Sequence, residues 1–279
     1  SMKHIYLNLK RFDVPTEFGG VNRIAPVAEW AEYIVKNTQD ELKKYDRSEV
    51  EFAMYFPEVH LLNAAEAKTE DSPIKVGCQS VYRDDTAAYG NFGAFTTNRT
   101  ANAAKAIGCT TTIIGHCEER KDKAGILAEA GVTDTKAVNR LLNQEIKKAV
   151  SSGLSVLYCI GESSEEQERW KEVLKEQITV GLEGVDKSLV TIAYEPIWAI
   201  GPGKIPPDKD YITMIGTYIK EITDGCDVVY GGGLKVDNAE MLASVPVMDG
   251  GLIALTRFQG EIGFYPEEYL EIIKTYMGH

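Results

Sequence analysis

Three side chains in this sequence have the types needed to move a proton between two adjacent carbon atoms. Glu195 is a carboxylate that can take a carbon-bound proton, His116 is a neutral donor that can polarise a carbonyl, and Lys10 is a cation that can offset developing negative charge. Backbone N–H groups of the glycine-rich segments 201–203 and 231–233 can hold a phosphate. The set predicts a small phosphorylated substrate and requires neither a metal nor an organic cofactor.

These residues lie far apart in the chain, so the fold must bring them together. Short apolar, β-rich segments alternate with longer segments of helical periodicity. Eight strands alternating with helices predict a parallel sheet, and eight is the number that closes a (β/α)8 TIM barrel; an open doubly wound sheet is the alternative. The predicted strands are His4–Asn8, Val50–Phe56, Ile74–Cys78, Thr110–Ile114, Leu154–Cys159, Leu189–Tyr194, Asp227–Tyr230 and Val247–Ile253. The clearest predicted helices are Pro26–Lys44, Thr133–Val150, Glu165–Leu182 and Asp210–Ile222.

Polar or glycine-rich segments follow four of the predicted strands directly. They are Asn8–Lys10, Gly115–Glu118, Glu195–Pro196 and Gly231–Gly233. In a barrel of parallel strands the carboxyl ends meet at one mouth, and chemistry takes place there. Each segment alone fits a helix cap or a surface turn, whereas together they predict one active site.

Composition and charge exclude several kinds of partner. With 44% hydrophobic and 26% charged residues the chain has a globular balance, which argues against disorder. Lys plus Arg is 30 and Asp plus Glu is 42, so the net charge is 30 − 42 = −12. Such a chain repels nucleic acid and anionic membranes, and any anion must be bound by a local positive field. No apolar run reaches the roughly 18 residues of a membrane span.

The cysteines and the lack of linkers indicate one domain that folds in a reducing compartment. Five cysteines, an odd number without a CxxC pair, predict free thiols and a cytoplasmic protein. We expect one domain over residues 1–279 and interpret Ser1, which precedes Met2, as an expression scar. A metal site at His116, Cys117 and Glu118 is not expected, because adjacent residues on a regular element point apart.

Several motifs, spread over nearly the whole chain, resemble the triosephosphate isomerase family in sequence and in order. The segment YEPIWAIGPGK is the most specific of them, whereas the glycine-rich pieces alone would not identify a family. The motifs are LNLK (7–10), VGCQSVY (76–82), GAFTT (93–97), TIIGHCEER (112–120), YCIGES (158–163), YEPIWAIGPGK (194–204), YGGGLKVDNAEML (230–242) and MDGGLIAL (248–255).

The resemblance implies a role for each candidate residue, by a mechanism already known for this family. Glu195 would abstract the proton, and His116 would polarise the carbonyl as a neutral imidazole. Lys10 would contact the phosphate and stabilise charge, Asn8 would hydrogen-bond substrate oxygens, and Glu118 would orient the lysine and the histidine. The implied reaction interconverts glyceraldehyde 3-phosphate and dihydroxyacetone phosphate, a step of glycolysis and gluconeogenesis.

The resemblance also implies a lid, a phosphate site and a second subunit. Residues 196–204 would close over the substrate and exclude water. The phosphate would be held near Gly201, Gly233, Ala254 and Leu255. The loop Gly93–Thr97, with Thr96 reaching into a neighbouring subunit, would form a homodimer.

The chain departs from the family pattern around the phosphate and the lid. Gly233 stands where the family has a serine, Ala254 and Leu255 replace a pair of glycines, and Pro206 lacks the N–H that the tyrosine of the YGG motif, here Tyr230, would meet. We therefore expect a lid that latches less firmly than is usual.

Three further features leave alternatives open. Arg257 is either a replacement for lost phosphate contacts or a solvated arginine. The chain is longer around Phe12–Gly20 and Asp85–Phe92, as harmless surface insertions or as a reshaped mouth or interface. An isomerase of a four-carbon sugar phosphate, of the erythrulose phosphate type, and a catalytically silent barrel that serves as a binding protein are the competing functions.

Overall fold

The computed structural model describes residues 2–201 and 203–279, and its strands form one closed parallel barrel. Each strand pairs with the next along the chain, and the last pairs with the first through His4 opposite Gly250. This closure confirms the predicted TIM barrel and excludes the open sheet. The strands are β1 (Lys3–Asn8), β2 (Val50–Phe56), β3 (Ile74–Cys78), β4 (Thr111–Ile114), β5 (Ser155–Ile160), β6 (Val190–Tyr194), β7 (Val228–Tyr230) and β8 (Gly250–Ile253).

The core has two layers because alternate residues of each strand face opposite sides of the sheet. One set of side chains fills the barrel interior and forms its own apolar cluster, while the other packs against the surrounding helices. The interior is therefore a packed core and not a channel. Its members are Tyr6, Ala53, Tyr55, Ile113, Leu157, Cys159, Ala193, Val229 and Leu252.

Helices between the strands form the outer layer. They are α1 (Trp30–Lys36), α2 (Gln39–Leu42), α3 (Leu61–Ala67), α4 (Ala101–Ala106), α5 (Cys117–Glu129), α6 (Thr135–Ser152), α7 (Trp170–Gly181), α8 (Lys209–Ile222), α9 (Val236–Ala243) and α10 (Pro266–Met277). Short 3-10 turns occur at Thr16–Phe18, Val27–Glu29, Glu58–His60, Gln167–Arg169, Lys187–Leu189 and Ile197–Ala199.

Most predicted element boundaries agree with the structure within two residues, but three predicted elements are wrong by more than that. The helix predicted over Pro26–Lys44 is two helices, because the hydroxyl of Thr38 donates to the carbonyl of Ile34 at 2.7 Å and the first helix ends there. The helix predicted from Glu165 begins at Trp170, after a 3-10 turn. The last strand begins at Gly250, since a turn precedes it.

A polar cluster closes the amino-terminal end of the barrel, opposite the mouth. His4 Nδ1 lies 2.5 Å from Glu51 Oε1, and His4 Nε2 lies 2.7 Å from Asp227 Oδ2. Lys75 Nζ donates to Glu51 Oε2 at 2.5 Å. Burial lowers the pKa of His4, but its bonds to the two carboxylates outweigh that effect and the pKa is raised. The cluster stabilises the strand ends and lies away from the chemistry.

The state of the cysteines relates to the predicted compartment, and the length and polarity of the helices relate to membrane binding. All five cysteines are free, and four of them are buried. Within residues 2–201 and 203–279, no helix has both the length and the apolar run needed to cross a bilayer.

Candidate active site

His116 stands between the end of β4 and the start of α5, where it caps the helix. The backbone N–H of Glu118 donates to His116 Nδ1 at 3.2 Å, as expected for an N-cap side chain. The Glu118 carboxylate approaches the same nitrogen at 3.3 Å, but that side chain is 65% exposed, whereas the backbone donor is fixed. On this network Nδ1 is the acceptor, which leaves the proton on Nε2. The imidazole is therefore neutral and presents an N–H donor.

Glu195 follows β6 directly and is only 2% exposed. Its Oε1 accepts a hydrogen bond from the backbone N–H of Cys117 at 3.1 Å, and its Oε2 lies 3.2 Å from His116 Nε2. The base and the electrophile predicted from the sequence are thus in direct contact.

Gly231, at the end of β7, leaves room for the Glu195 side chain. A Cβ atom at position 231 would lie 2.9 Å from Glu195 Cγ and 3.0 Å from the carbonyl oxygen of Tyr194. The backbone N–H of Gly231 donates to that same oxygen at 2.7 Å. A side chain at this position would displace the carboxylate, so glycine is required here for close approach.

The turn before His116 is held at both of its backbone polar groups. The N–H of Gly115 donates to Glu119 Oε1 at 2.8 Å, and the carbonyl of Gly115 accepts from Arg120 Nε at 2.9 Å. Arg120 also donates to the carbonyl of Cys159 at 3.0 Å, which ties this turn to β5. Gly115 has φ +83°, a conformation that favours glycine.

A carboxyl pair, Glu119 and the buried Glu145, supports that turn through the bond from the Gly115 N–H to Glu119. Burial and the neighbouring Glu119 carboxylate raise the pKa of Glu145 to about 9, so Glu145 is protonated at neutral pH. Burial opposes charge on Glu119 as well, but hydrogen bonding to Glu145 and the charge of Lys123 lower its pKa. Lys123 Nζ contacts both carboxyls, at 2.7 and 3.0 Å. Glu119 thus remains an acceptor for the turn.

Asn8 and Lys10 at the end of β1 form a locally strained segment. Lys10 has φ +43°, which is uncommon for a residue with a side chain. The Asn8 side-chain oxygen accepts from the Lys10 N–H at 3.0 Å, and Gln79 Nε2 donates to the Lys10 carbonyl at 2.9 Å. These bonds hold the backbone in the conformation that directs the lysine side chain toward α5.

Glu118 lies between the two side chains that it was predicted to orient. Its Oε2 is 3.4 Å from Lys10 Nζ, and its Oε1 is 3.3 Å from His116 Nδ1. The structure therefore brings together Asn8, Lys10, His116, Glu118 and Glu195 at the carboxyl ends of β1, β4 and β6.

The glycine loop after β7 lies beside the end of β8. Leu234 donates its backbone N–H to the carbonyl of Leu252 at 2.9 Å. Asn238 fixes the loop from α9: its amide group donates to the Gly233 carbonyl at 2.9 Å and accepts from the Lys235 N–H at 2.8 Å. Gly233 itself has φ +108°.

Ala254, Leu255 and Arg257 follow β8. The first two are half-buried at the mouth, next to the glycine loop. Arg257 donates to Glu268 from Nε at 3.0 Å and from a terminal nitrogen at 2.8 Å, and its guanidinium lies 3.8 Å over the ring of Tyr265. The charge of Arg257 is thus paired with a carboxylate in the first turn of α10.

The lid region is open to solvent. Gly201 and Gly203 are exposed and have φ +119° and +75°, while Pro202 lies outside the described residues. Gly201 makes no described contact with the catalytic side chains. Tyr230 is buried, and its hydroxyl has no hydrogen-bond partner among residues 2–201 and 203–279.

The expectation that His116 and Cys117 point apart is wrong. Cys117 Sγ lies 3.7 Å from His116 Nδ1, because the capping imidazole folds back over the first turn of α5. With Glu195 these residues offer nitrogen, sulfur and oxygen atoms within 4.8 Å of one another. Burial, together with Glu195, raises the pKa of the Cys117 thiol to about 12, so the thiol is protonated and is a poor metal ligand at neutral pH.

Several supporting residues were not predicted from the sequence. Gln79, Glu119, Arg120 and Asn238 act through backbone groups of the loops, and Cys117 acts through its own N–H. Such bonds leave no spacing pattern. The glycines in the YGGG and IIGH segments were the available signal.

Comparisons with known proteins place most of the chain in one family. A model of the family described as triosephosphate isomerase matches residues 25–275. The triosephosphate isomerase of Pelodictyon phaeoclathratiforme is 35% identical over 225 residues, which cover 77% of this chain and 80% of that protein. That of Dictyoglomus thermophilum is 29% identical over 257 residues, covering 88% and 92%.

A solved structure shares the fold. The crystal structure of triosephosphate isomerase from Bartonella henselae superposes with a TM-score of 0.72 over 99% of both chains, at 21% sequence identity. At that identity the likeness shows the fold, whereas the family match and the relatives show descent. The chain belongs to the triosephosphate isomerase family.

Proposed function

We propose that this protein interconverts glyceraldehyde 3-phosphate and dihydroxyacetone phosphate through an enediolate, a step of glycolysis and gluconeogenesis. The observation that carries the proposal is the contact between a buried carboxylate, Glu195, and a neutral imidazole N–H, His116 Nε2, at the mouth of the barrel. A carboxylate base beside a neutral donor is what proton transfer next to a carbonyl requires.

Substrate binding must break the resting contact. In our proposal the substrate carbonyl oxygen accepts a hydrogen bond from His116 Nε2–H. The Glu195 carboxylate is thereby released and turns to the carbon-bound proton. Glu195 removes the proton from one carbon, the electron pair forms the enediolate double bond, and the same proton returns to the neighbouring carbon. The hydroxyl proton moves between the two oxygens, so reactant and product have the same atoms.

Lys10, Asn8 and Glu118 complete the reacting end. The Lys10 ammonium opposes the negative charge that develops on the substrate, and the short distance to Glu118 sets where it stands. Asn8, 4% exposed, fixes the Lys10 backbone and offers its amide group to substrate oxygens. No step needs a metal or an organic cofactor.

The phosphate would lie over the loops after β7 and β8. Backbone N–H groups near Gly233, Ala254 and Leu255 are the proposed donors, with Gly201 added when the lid closes. Leu255 crowds an anion more than a glycine would. The larger residues therefore predict a modest loss of phosphate contact, which another group must offset.

We further infer a homodimer formed by the loop Gly93–Thr97. In the isolated chain Thr96 is exposed, and the preceding insertion presents Tyr89 at 100% and Phe92 at 91% exposure. Exposed aromatic side chains of this kind are typical of a surface that a partner subunit covers. A cleft of about 470 Å³, lined by Lys10, Arg11, Phe12, Gly20, Val21, Gln79 and Glu118, offers a place for a partner's loop beside the active site.

We also propose a domain organisation and a cellular compartment. One domain spans the chain, since every described strand belongs to a single barrel. The protein is cytoplasmic, acts on a small molecule and binds neither nucleic acid nor membrane, as the free cysteines and the net charge of −12 favour.

A side-by-side assay tests the substrate. Turnover of glyceraldehyde 3-phosphate is measured against that of a four-carbon ketose phosphate at equal enzyme concentration. We expect the triose phosphate to have the higher kcat/KM, in line with the names of the relatives described above, none of which favours the four-carbon alternative. A preference for the four-carbon compound, or no turnover of either, would reject the proposal.

A further inference from the structure

We infer that Lys235 binds the phosphate of the substrate and replaces the side-chain contact that Gly233 cannot make. The inference rests on the proposed function and names a further substrate-binding residue for that site. Lys235 precedes α9 and is half-buried at the end of the glycine loop.

The lysine side chain fills the space beside Gly233. A Cβ atom at Gly233 would lie 3.1 Å from Lys235 Cε and 3.8 Å from Lys235 Nζ. The end of the lysine side chain, with its ammonium, therefore lies beside the position that a side chain at residue 233 would take. The two positions are linked, since a residue with a side chain at 233 would push the lysine away.

The backbone of the lysine is fixed in this place. Asn238 accepts from the Lys235 N–H at 2.8 Å and donates to the Gly233 carbonyl at 2.9 Å, so one amide group sets the geometry of both residues. The loop is also tied to β8 through Leu234 and Leu252. Little reorganisation is needed for the ammonium to meet an anion at the mouth.

The ammonium has an aromatic partner and, in the part of the chain that the structure describes, no acidic one. It lies 4.4 Å from the centre of the Phe258 ring, and no carboxylate of residues 2–201 and 203–279 lies within 4.0 Å of it. By contrast, Lys10 pairs with Glu118 and Arg257 pairs with Glu268. A cation held by a π face keeps its charge available to an added anion.

Local positive charge is needed at this place. The chain carries a net charge of −12, so a phosphate dianion is repelled in bulk and depends on nearby cations and N–H groups. Arg257, the candidate cation of the loop after β8, is already paired with Glu268. Lys235 is therefore the charge that compensates for the larger residues Ala254 and Leu255.

The test compares Lys235→Met with the matched control Lys171→Met. Lys171 also lies over aromatic rings, at 5.6 Å from Trp170 and 5.7 Å from Tyr218, but it is on the outer helix α7. Steady-state kinetics with glyceraldehyde 3-phosphate, competitive inhibition by inorganic phosphate and turnover of unphosphorylated glyceraldehyde are measured for each.

For Lys235→Met we expect KM and the inhibition constant of inorganic phosphate to rise about tenfold or more, with kcat changed by less than about threefold, because a charge-assisted contact to the non-reacting end is lost. Turnover of glyceraldehyde stays unchanged, and Lys235→Arg retains most of the affinity. Lys171→Met behaves as wild type.

Two results overturn the inference. One is that KM and the inhibition constant of inorganic phosphate change by less than about twofold, because the loss of one charged contact usually lowers affinity by more than that. The other is that glyceraldehyde turnover falls as much as that of the phosphorylated substrate, which would indicate a structural role. If the wild type does not act on triose phosphates, phosphate binding measured by calorimetry still separates Lys235→Met from wild type, and only the proposed function fails.

Discussion

His116 Nε2 and Glu195 Oε2 lie 3.2 Å apart, so the base and the electrophile of the proposed reaction are in contact with each other before substrate arrives. In the proposed reaction a substrate carbonyl therefore replaces the Glu195 carboxylate at His116 Nε2. The same binding event polarises the carbonyl and frees the base.

Replacing Glu195 by Gln tests the base. The amide keeps the size and can still accept from Cys117 N–H, but it cannot take a proton. We expect kcat to fall about 10²–10⁴-fold or more, since that is what a positioned general base contributes. Circular dichroism and sedimentation should match wild type. Near-normal kcat on the best substrate would remove Glu195 from the mechanism.

Gly231→Ala tests whether the glycine positions the base. The added Cβ atom would lie 2.9 Å from Glu195 Cγ, so the carboxylate must move, and a shift of about 1 Å at reacting groups costs about 10²-fold in rate. We expect kcat to fall by that order. Gly125→Ala is the matched control, because nothing lies within 4 Å of its Cβ position on α5. Equal activity of the two variants would contradict the assigned role of Gly231.

The sequence predicted the barrel correctly, and it predicted which polar residues meet at the mouth of the barrel, for a physical reason. Buried parallel strands read as runs of β-branched and apolar residues such as TTTII and VTIAY, and the polar residues of the site follow directly after them. That pattern located Asn8, His116 and Glu195.

What the sequence did not predict are contacts made through space. Whether Thr38 ends a helix, or Cys117 Sγ turns toward His116, depends on side-chain rotamers and not on periodicity. The pairing of Arg257 with Glu268 and the approach of Lys235 to Gly233 likewise follow from how the loops pack.

The interface prediction concerns Phe92. If the insertion is covered by a second subunit, Phe92→Glu buries a charge and should shift the protein toward monomer at micromolar concentration, with loss of activity. Met214→Glu, an exposed residue on the outer helix α8, is the control and should remain as wild type. Sedimentation velocity and kcat are measured together. A fully active monomer in the wild type would contradict the dimer.

The polar cluster around His4 predicts how stability depends on pH. The folded pKa of His4 is raised above its ordinary 6.5, so the contribution is fully present below about pH 6.5 and is lost as pH rises through the folded pKa. The pKa of Glu51 falls to about 2: burial opposes this, but bonds from His4, Lys75 and Tyr6 outweigh it. Its contribution is present above its ordinary 4.5 and is lost as pH falls toward 2.

Urea unfolding between pH 5 and 9 measures the His4 effect. The wild type should lose stability relative to His4→Gln as pH rises, since glutamine keeps hydrogen-bonding capacity but does not titrate in this range. Activity of folded His4→Gln should be unchanged, because the cluster is at the opposite end of the barrel. A pH-independent difference between the two proteins would show that folding does not change the pKa of His4.

Gly233→Ser gives the sharpest test of how the phosphate loop has changed. From the sequence alone, restoring a hydroxyl at 233 promises a firmer lid. The structure predicts the opposite, because residue 233 has φ +108° and a Cβ atom there would lie 3.1 Å from Lys235 Cε. A side chain in such a conformation costs about 1–2 kcal/mol, and relief requires the lysine to move. We expect Gly233→Ser to raise KM for glyceraldehyde 3-phosphate severalfold and to lower the unfolding midpoint in urea. The double variant Gly233→Ser with Lys235→Met should change KM by less than the product of the two single fold-changes, since both substitutions disturb the same contact.

Pro206→Ala is the control for the lid, because it restores an N–H outside this loop. It should leave KM unchanged or improve it. A Gly233→Ser variant with improved kcat/KM and unchanged stability would mean that the loop accepts a side chain, and that Lys235 does not depend on the glycine.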